Sequence, residues 1–315
     1  LCADNKKDAF YGLQGRRMGL CMYLVLLIVF VVLAQRLRPQ MILFVFFAAA
    51  NAFAYAVAIG QHMEHDFLNL RYNIAENQYT KFISTFGNIN MYASYLSISI
   101  PVLLAVFAFC KNWFSRILSG ILLIAAGCNI LIANSDSVFL GILAGVVVVT
   151  VLAFMQSRLK YSSFAVYLLF VGNLVLGFIN RYGHTRYDKK RGGLAIALNR
   201  LDIAFALCGA ALLIFVAVCI CNWKLGEKVA AWNKKKIVLI VCGACVALGV
   251  IGMIALKVMD PSLFTFNDKW GSYRGYIWRK IVEVYGDAPF VNKLFGYGNE
   301  SVRVTLKAAC YDEMV

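Results

Sequence analysis

The residues best suited to chemistry in this sequence lie in one polar stretch, 270–299, which mixes arginine, tryptophan, tyrosine and glycine. Apolar residues at helical spacing in its centre predict a short amphipathic helix with Ser272 as its cap. Arg274 then lies in the first turn, where a cation opposes the helix dipole and does not help the helix to form. An anion bound at the helix N-terminus would explain an arginine at this position. Beyond the helix, Gly296 and Gly298 predict a tight turn that allows close approach to the backbone.

Two more side chains of this predicted helix are candidates for binding. Trp278 follows Arg274 by four residues and shares its face, an arrangement in which an arginine can stack on the indole ring. Arg279 and Glu283 are also four residues apart, and the simplest interpretation of this spacing is an ion pair in solvent. We nevertheless keep Arg279 together with Trp278 as candidate substrate-binding residues.

The composition of the 315 residues determines the class of protein. Hydrophobic residues make up 61% of the chain and the mean hydropathy is +0.71, well above the values of soluble domains, which predicts an integral membrane protein. The net charge of +15 is therefore interpreted against a membrane. Because no basic motif with interleaved aromatic residues is present, nucleic acid is set aside as a partner. The chain starts at Leu1 and stops at Val315 within polar segments, so we expect a fragment of a longer protein.

Apolar segments of spanning length predict an all-α fold, a polytopic membrane bundle of about eight transmembrane helices. The predicted spans are 18–35, 41–60, 91–110, 117–134, 138–156, 164–179, 203–222 and 237–256. Gly141 and Gly145 in the fifth span form a small-xxx-small face that suits close helix packing. We expect two parts: a transmembrane bundle over 1–256, and a part-helical extracytoplasmic loop segment, cut short, over 257–315.

The charges of the loops predict which side of the membrane each end of the bundle meets. The short basic segments predicted to be cytoplasmic are 36–38, 111–116, 158–160 and 224–236. The predicted outward set is the N-terminal segment, 61–90, 134–137, 180–202 and the tail after 257. The 180–202 loop is as basic as the inner loops and counts against this orientation. The simpler interpretation is that Arg186 and Arg200 of this loop contact anionic lipid head groups. The more specific interpretation is that they bind a phosphate-bearing substrate.

Polar clusters in the predicted outward loops have simple structural interpretations. Asn88 and Asn90 precede the third span, where asparagine caps a helix well, although the pair could also bind sugar hydroxyls. The segment 134–137 needs to be no more than a polar turn. His62, Glu64 and His65 could form a metal or general-base cluster. They match no familiar zinc spacing, and a hydrated loop is the simpler interpretation. No metal or cofactor site is predicted.

The order of these motifs resembles that of a known family. Gly-Asn-Ile-Asn at 87–90, the polar turn followed by Phe-Leu-Gly at 139–141, Arg-Gly-Tyr-Ile-Trp at 274–278 and Leu-Phe-Gly-Tyr-Gly at 294–298 are together similar to the bacterial O-antigen ligase and O-antigen polymerase family. The resemblance implies a multi-pass glycosyltransferase of the bacterial plasma membrane. Such an enzyme moves a glycan from an undecaprenyl-diphosphate carrier to a hydroxyl of a glycan or lipid acceptor on the extracytoplasmic face.

The resemblance also implies roles for individual residues. Arg274 matches the family's outer-loop arginine, which binds the diphosphate of the carrier, and is the candidate catalytic residue. Gly296 and Gly298 match the family's glycine turn, while Asn88 and Asn90 match its Asn-x-Asn, and these are candidates for substrate binding. Fixed arginines can stabilise the charge that builds on a diphosphate leaving group without a metal ion.

Two departures from the family bear on this site. Ser135-Asp136 stands where many members have Ser-Arg, and Arg186 or Arg200 in the basic loop could supply the missing charge. The family's catalytic histidine lies further along the outer loop, and we expect this fragment to lack it. An inactive truncated relative is therefore one alternative. A transporter or flippase of lipid-linked glycans is another, although the centres of the predicted spans hold none of the ionisable residues that ion-coupled transport usually needs.

Overall fold

The structure of the chain is a computed structural model. It describes residues 6–12, 19–36, 40–75, 78–79, 81–183, 200–230, 234, 236–238, 267–268, 270–296 and 306. Over these residues the protein is all-helical, without a β-strand, which confirms the predicted fold class. The chain divides into two compact units, one formed by 40–244 and the other by 1–39 together with 245–315. The predicted boundary at residue 256 stays a prediction, because it lies outside the described residues.

The helices are numbered here in chain order. They are α1 (Lys6–Tyr11), α2 (Leu20–Arg36), α3 (Met41–His62), α4 (Ile89–Phe109), α5 (Trp113–Ala133), α6 (Asp136–Met155), α7 (Leu159–Tyr182), α8 (Leu201–Ala230), α9 (Trp270–Gly286) and α10 (Phe290–Phe295). A short 3₁₀ helix, Ser84–Phe86, precedes α4. Helices α3 to α8 belong to the 40–244 unit, and the others belong to the second unit.

Six of the described helices, α3 to α8, are long and apolar enough to cross a membrane. They coincide with the second to seventh predicted spans and have the length and composition of a multi-pass membrane protein. The predicted number of about eight is not confirmed. Helix α2 covers the first predicted span but, with 17 residues, is shorter than the other six. The eighth predicted span, 237–256, lies almost wholly outside the described residues.

Helices α4 and α5 form the centre of the 40–244 unit. About half of the apolar length of each is buried, 50% for α4 and 56% for α5, against 22% for α6 and 17% for α8. Leu96, Ile100 and Leu103 of α4 and Leu123 of α5 are fully buried. The peripheral helices expose long apolar side chains, such as Leu213 of α8. This distribution is the one expected of a bundle whose outer surface meets lipid instead of water.

Small residues allow α6 to pack closely against α4. A Cβ atom at Gly141 would collide with Ser97, and one at Gly145 would collide with Pro101, both of which lie on α4. The prediction that these glycines serve packing is therefore confirmed. Association in lipid depends on close packing and hydrogen bonds, because the lipid tails are as apolar as the helices.

The crossing of α5 and α7 is an equally close contact, which the sequence did not predict. A Cβ atom at Gly127 would meet the backbone carbonyl of Leu169, and one at Gly172 would meet the carbonyl of Ile124. The Cys128 thiol donates a hydrogen bond to the carbonyl oxygen of Gly172, at 3.1 Å. The two glycines thus let the helix backbones approach to a distance that no larger residue permits.

Two pairs of buried polar side chains join helices of the bundle. The Tyr92 hydroxyl donates a hydrogen bond to Asn129 Oδ1 at 2.6 Å, and the hydroxyl oxygens of Tyr55 and Ser99 lie 3.1 Å apart. All four side chains are at least 98% buried. In a membrane no water is available to satisfy such groups, so these hydrogen bonds stabilise the bundle.

The candidate residues of the 40–244 unit collect at one end of the bundle. At this end of the bundle three helices end, α3, α5 and α7, and three begin, α4, α6 and α8. We call this end of the bundle the loop end. It carries Asn88, the 134–137 turn and Arg200. The opposite end carries Arg116, whose guanidinium donates to the carbonyl oxygens of Phe107 and Cys110 at 3.1 and 2.6 Å.

Candidate functional site

Helix α9 holds the candidate catalytic arginine. The helix begins at Trp270, two residues before Ser272, so the prediction of Ser272 as its cap is wrong. Arg274 consequently lies in the second turn, where the helix dipole is a weaker reason for a bound anion. Its side chain is exposed and contacts no carboxylate within the described part of the chain. Arg274 is therefore a cation that its own helix leaves without a counter-charge.

The second arginine of the motif is neutralised. Nε and Nη2 of Arg279 donate to the two carboxylate oxygens of Asp268 at 3.0 and 2.7 Å, and Nη1 donates to Glu283 Oε1 at 3.3 Å. The predicted pair with Glu283 is confirmed, whereas the bidentate pair with Asp268 is a partner that sequence reasoning missed. The hydrogen bond with Asp268 raises the pKa of Arg279 above its ordinary value. Arg279 would have to release these acids before it could bind a phosphate.

An exposed apolar stripe continues from Arg274 along α9. Trp278, Val282 and Tyr285 are exposed and lie on the same face of the helix as Arg274. Tyr285 also ties α9 to α10, because its hydroxyl donates to the carbonyl oxygen of Lys293 at 2.8 Å. The pairs formed by Arg279 lie on the opposite face. An apolar face backed by a charged face is typical of a helix that lies in the interface of a membrane.

The predicted glycine turn begins at the end of α10. Gly296 follows the helix with a φ of 69°, a left-handed conformation that glycine adopts without strain. No described atom lies within 4 Å of the point where its Cβ would stand, so the backbone is open on that side. The tight turn itself stays a prediction, because Gly298 lies outside the described residues.

Asn88 is the N-cap of α4. Its side-chain oxygen accepts hydrogen bonds from the backbone N–H groups of Asn90 and Met91 at 2.8 and 3.4 Å, directly after Gly87 in a left-handed conformation with φ of 64°. The capping interpretation is therefore confirmed for Asn88. The Asn90 side chain is exposed and makes no hydrogen bond with the described residues. Of the two asparagines, Asn90 keeps its whole amide available for a ligand.

Arg200 lies directly before α8 at the loop end. Its Nε and Nη2 donate to the carboxylate oxygens of Asp202 at 3.2 and 2.8 Å. Pairing with this carboxylate raises the pKa of Arg200 above its ordinary value. The charge of Arg200 is thus compensated locally, while Arg186 lies outside the described residues. Whether either residue replaces the arginine missing beside Ser135 stays a prediction.

The segment between α5 and α6 is the predicted polar turn. Asn134 ends α5 in a left-handed conformation with φ of 44°. Ser135 is the N-cap position of α6, and its hydroxyl oxygen lies 2.9 Å from that of Ser137. Asp136 is the first residue of α6.

The interpretation of His62 as part of a hydrated loop is wrong. His62 ends α3 and is partly buried, and its Nε2 lies 2.6 Å from Oδ1 of Asn180 on α7. His65 is exposed and bonds through Nδ1 to the carbonyl oxygen of Met63 at 2.7 Å. Within the described ranges no group of three or more His, Cys, Asp or Glu side chains could hold a metal ion.

The connection between α3 and α4 is closed by Arg71, a residue that sequence analysis did not single out. Its Nη1 and Nη2 donate to the carbonyl oxygens of Gln61 and Phe82 at 2.9 and 3.0 Å, and its backbone N–H donates to Asp66 Oδ2 at 2.7 Å. The Gln61 side-chain oxygen in turn accepts from the backbone N–H of Ser84 at 2.7 Å. The connection is therefore a folded cap on the loop end. The sequence signal for this closing role of Arg71 is weak, because it consists of a charged residue within a long polar loop.

The described candidates belong to both units of the chain. Asn88, Asn90 and Arg200 belong to the loop end of the 40–244 unit, and Arg274 with Trp278 belongs to α9. The chain matches no family model, no curated protein and no solved structure. Its function therefore has to be argued from its own residues and from the motif resemblance.

Proposed function

We propose that the protein is a glycosyltransferase of the O-antigen ligase or polymerase type. It moves a glycan from an undecaprenyl-diphosphate carrier to a hydroxyl of a glycan or lipid acceptor at the outer face of the bacterial plasma membrane. The order of motifs from residue 87 to residue 298 and the multi-pass helical architecture support this proposal. The observation that carries it is the state of Arg274, an exposed guanidinium without a carboxylate partner in the described part of the chain.

The setting of Arg274 suits a phosphate that is attached to a lipid. The exposed apolar stripe of Trp278, Val282 and Tyr285 would hold α9 in the membrane interface. Arg274 lies on that same face, so its guanidinium would meet the head-group layer, where the diphosphate of a lipid carrier lies. An arginine stays charged at every physiological pH and can bind a phosphate through two parallel hydrogen bonds.

The proposed reaction transfers the anomeric carbon of the glycan between two oxygens. The bond from this carbon to the diphosphate oxygen breaks, and its electrons leave with the lipid diphosphate. The acceptor oxygen forms the new bond to the same carbon, and its proton passes to a base. Because negative charge builds on the leaving diphosphate, a cation aimed at it lowers the barrier. Arg274 can do so without first breaking an ion pair, whereas Arg279 cannot.

Other candidates would contribute to binding and not to the chemical step. The exposed indole of Trp278 offers a flat apolar face for a sugar ring. Asn90 offers an unused amide at the loop end, where sugar hydroxyls could both donate and accept. The open backbone at Gly296 admits close approach of a polar ligand. Arg200 is paired with Asp202 and would have to release this acid before it could contact a lipid or carrier phosphate.

The test is transfer of a labelled glycan from a lipid-linked donor by the full-length protein. We expect Arg274→Ala to lower the transfer rate by about 100-fold or more, because loss of a single charge-stabilising donor has effects of this size. Lys293→Ala removes an exposed cation of α10 and should leave the rate unchanged. Both variants should reach the membrane fraction in normal amounts. Near-normal transfer by Arg274→Ala would overturn the proposal.

A further inference from the structure

The connection between α3 and α4 contains a polar cavity of about 260 Å³. The residues that line it include two acids, Glu64 and Asp66, and two asparagines, Asn69 and Asn73. The volume is close to the lower end of the range of about 300–1,000 Å³ found for pockets that take small ligands. The cavity lies at the loop end of the bundle, because the connection joins the end of α3 to the start of α4.

Three residues of the cavity wall have an unusual backbone conformation that the hydrogen bonds of the connection support. Glu64, Asn69 and Asn73 have φ values of 64°, 51° and 66°, in the left-handed region that residues other than glycine seldom adopt. The connection holds them there because Arg71 links its two ends through the carbonyl oxygens of Gln61 and Phe82. A binding surface that is ordered in advance loses less entropy when a ligand is captured.

Two aromatic rings complete the wall. Tyr79 lies beneath the guanidinium of Arg71, which stands 5.6 Å from the centre of its ring. Tyr72 also lines the cavity, and 72% of its surface is exposed. A tyrosine face is apolar and flat while its hydroxyl is polar, so the ring can cover the C–H side of a sugar. The surrounding amides and carboxylates can bind the hydroxyl groups at the rim of the same sugar.

The charges of the wall argue against an ion as the ligand. Glu64 and Asp66 would repel an anion such as a free phosphate. Arg71 would repel a divalent cation, and its guanidinium is already committed to backbone carbonyl oxygens. An uncharged ligand rich in hydroxyl groups is repelled neither by the two acids nor by Arg71.

We propose that this cavity is a subsite for one uncharged sugar residue. The inference deepens the proposed function and rests on it for the source of the sugar, which is the glycan of the donor or of the acceptor. The connection runs directly into the cap of α4, where the Ile89 N–H donates to the carbonyl oxygen of Lys81 at 3.1 Å. The cavity and the free amide of Asn90 therefore belong to one folded segment.

The experiment measures sugar binding without any transfer step. The full-length protein in lipid nanodiscs is mixed with the methyl glycosides of glucose, galactose, rhamnose and N-acetylglucosamine, and binding is followed by saturation-transfer difference NMR. We expect at least one glycoside to bind the unaltered protein. Tyr72→Ala and Asn73→Gly should each weaken that binding by about tenfold. Glycine suits the left-handed backbone at position 73, so the second variant removes an amide without adding strain.

Tyr182→Ala is the matched control. Tyr182 ends α7 at the same end of the bundle and is 76% exposed, but it does not line the cavity. Its loss should leave glycoside binding unchanged, and all three variants should retain the thermal midpoint of the unaltered protein. If no glycoside binds, or if Tyr72→Ala binds as well as the unaltered protein, the sugar subsite is wrong.

The two proposals fail separately. Transfer that depends on Arg274 in a protein that binds none of the glycosides would overturn the subsite alone. Glycoside binding that depends on Tyr72, in a protein whose Arg274→Ala variant transfers normally, would overturn the proposed catalytic role and leave the subsite in place.

Discussion

The helix bundle α3–α8 and the amphipathic helix α9 treat polar side chains in opposite ways. In the bundle, buried neutral side chains are joined across helices, as in the hydrogen bond of 2.6 Å from the Tyr92 hydroxyl to Asn129. On α9, Arg274 and Arg279 are charged and exposed. Arg279 binds the carboxylates of Asp268 and Glu283, whereas Arg274 has no such partner among the described residues.

This difference separates residues that serve folding from residues that serve function. An unpaired polar group inside lipid is costly, so the hydrogen bond between Tyr92 and Asn129 is explained by the stability that it gives the bundle. This hydrogen bond is no evidence that Tyr92 or Asn129 takes part in catalysis. The fold of an amphipathic helix does not require an exposed arginine. A cation on the apolar face reduces the apolar surface that the helix can bury in the membrane. The reason for Arg274 must then lie in what the helix binds.

The largest effect is expected where the bundle is most tightly packed. Gly172→Ala would place a Cβ atom against the carbonyl oxygen of Ile124, and α5 and α7 would have to move apart. We expect the free energy of unfolding to fall by about 1–3 kcal/mol, the usual cost of overpacking. The measurement is an equilibrium unfolding curve in mixed micelles.

Gly209→Ala is the control for this packing variant. Gly209 lies on α8, and no atom of the described residues stands within 4 Å of its Cβ position. Alanine is the better helix former, so the substitution should be neutral or slightly stabilising. Equal unfolding curves for Gly172→Ala and Gly209→Ala would mean that the close crossing of α5 and α7 does not limit the stability of the bundle.

A smaller loss of stability is expected from the buried polar pair. Tyr92→Phe keeps the ring and leaves Asn129 Oδ1 without its donor. The free energy of unfolding should fall by about 1 kcal/mol, in line with hydrogen bonds between helices in membranes. Tyr95→Phe provides the comparison, because the Tyr95 hydroxyl makes no hydrogen bond with the described residues. The prediction fails if the two phenylalanine variants unfold together.

The spans of the bundle could be predicted from the sequence because hydropathy is a local property. Six predicted spans coincide with helices of spanning length, and the capping role of Asn88 follows from its position before a helix. The partners of each helix could not be predicted. His62 and Asn180 are 118 residues apart, and nothing in an apolar segment indicates which neighbour it will meet.

The candidate site shows the same limit at shorter range. Helical spacing predicted the pair of Arg279 with Glu283, because both lie on one helix. It could not reveal Asp268, which precedes the helix and reaches Arg279 across 11 residues. Helix ends are also hard to place from propensity, which is why the predicted cap at Ser272 was wrong. The closure of the α3–α4 connection by Arg71 depends on its folded backbone and has no sequence pattern.

The smallest effect on glycan transfer is expected for substitution of Arg279. This variant tests the difference between the two arginines of α9. Because its guanidinium is held by Asp268 and Glu283, Arg279→Ala should lower glycan transfer by less than about tenfold, far less than the loss expected for Arg274→Ala. Thermal midpoints should be unchanged, since exposed ion pairs add little stability. Asp268→Asn weakens the restraint on Arg279 and should likewise leave transfer near normal. If Arg279→Ala were as inactive as Arg274→Ala, the acids would instead be positioning Arg279 for catalysis, and the partner-free state of Arg274 would lose its value as a guide to function.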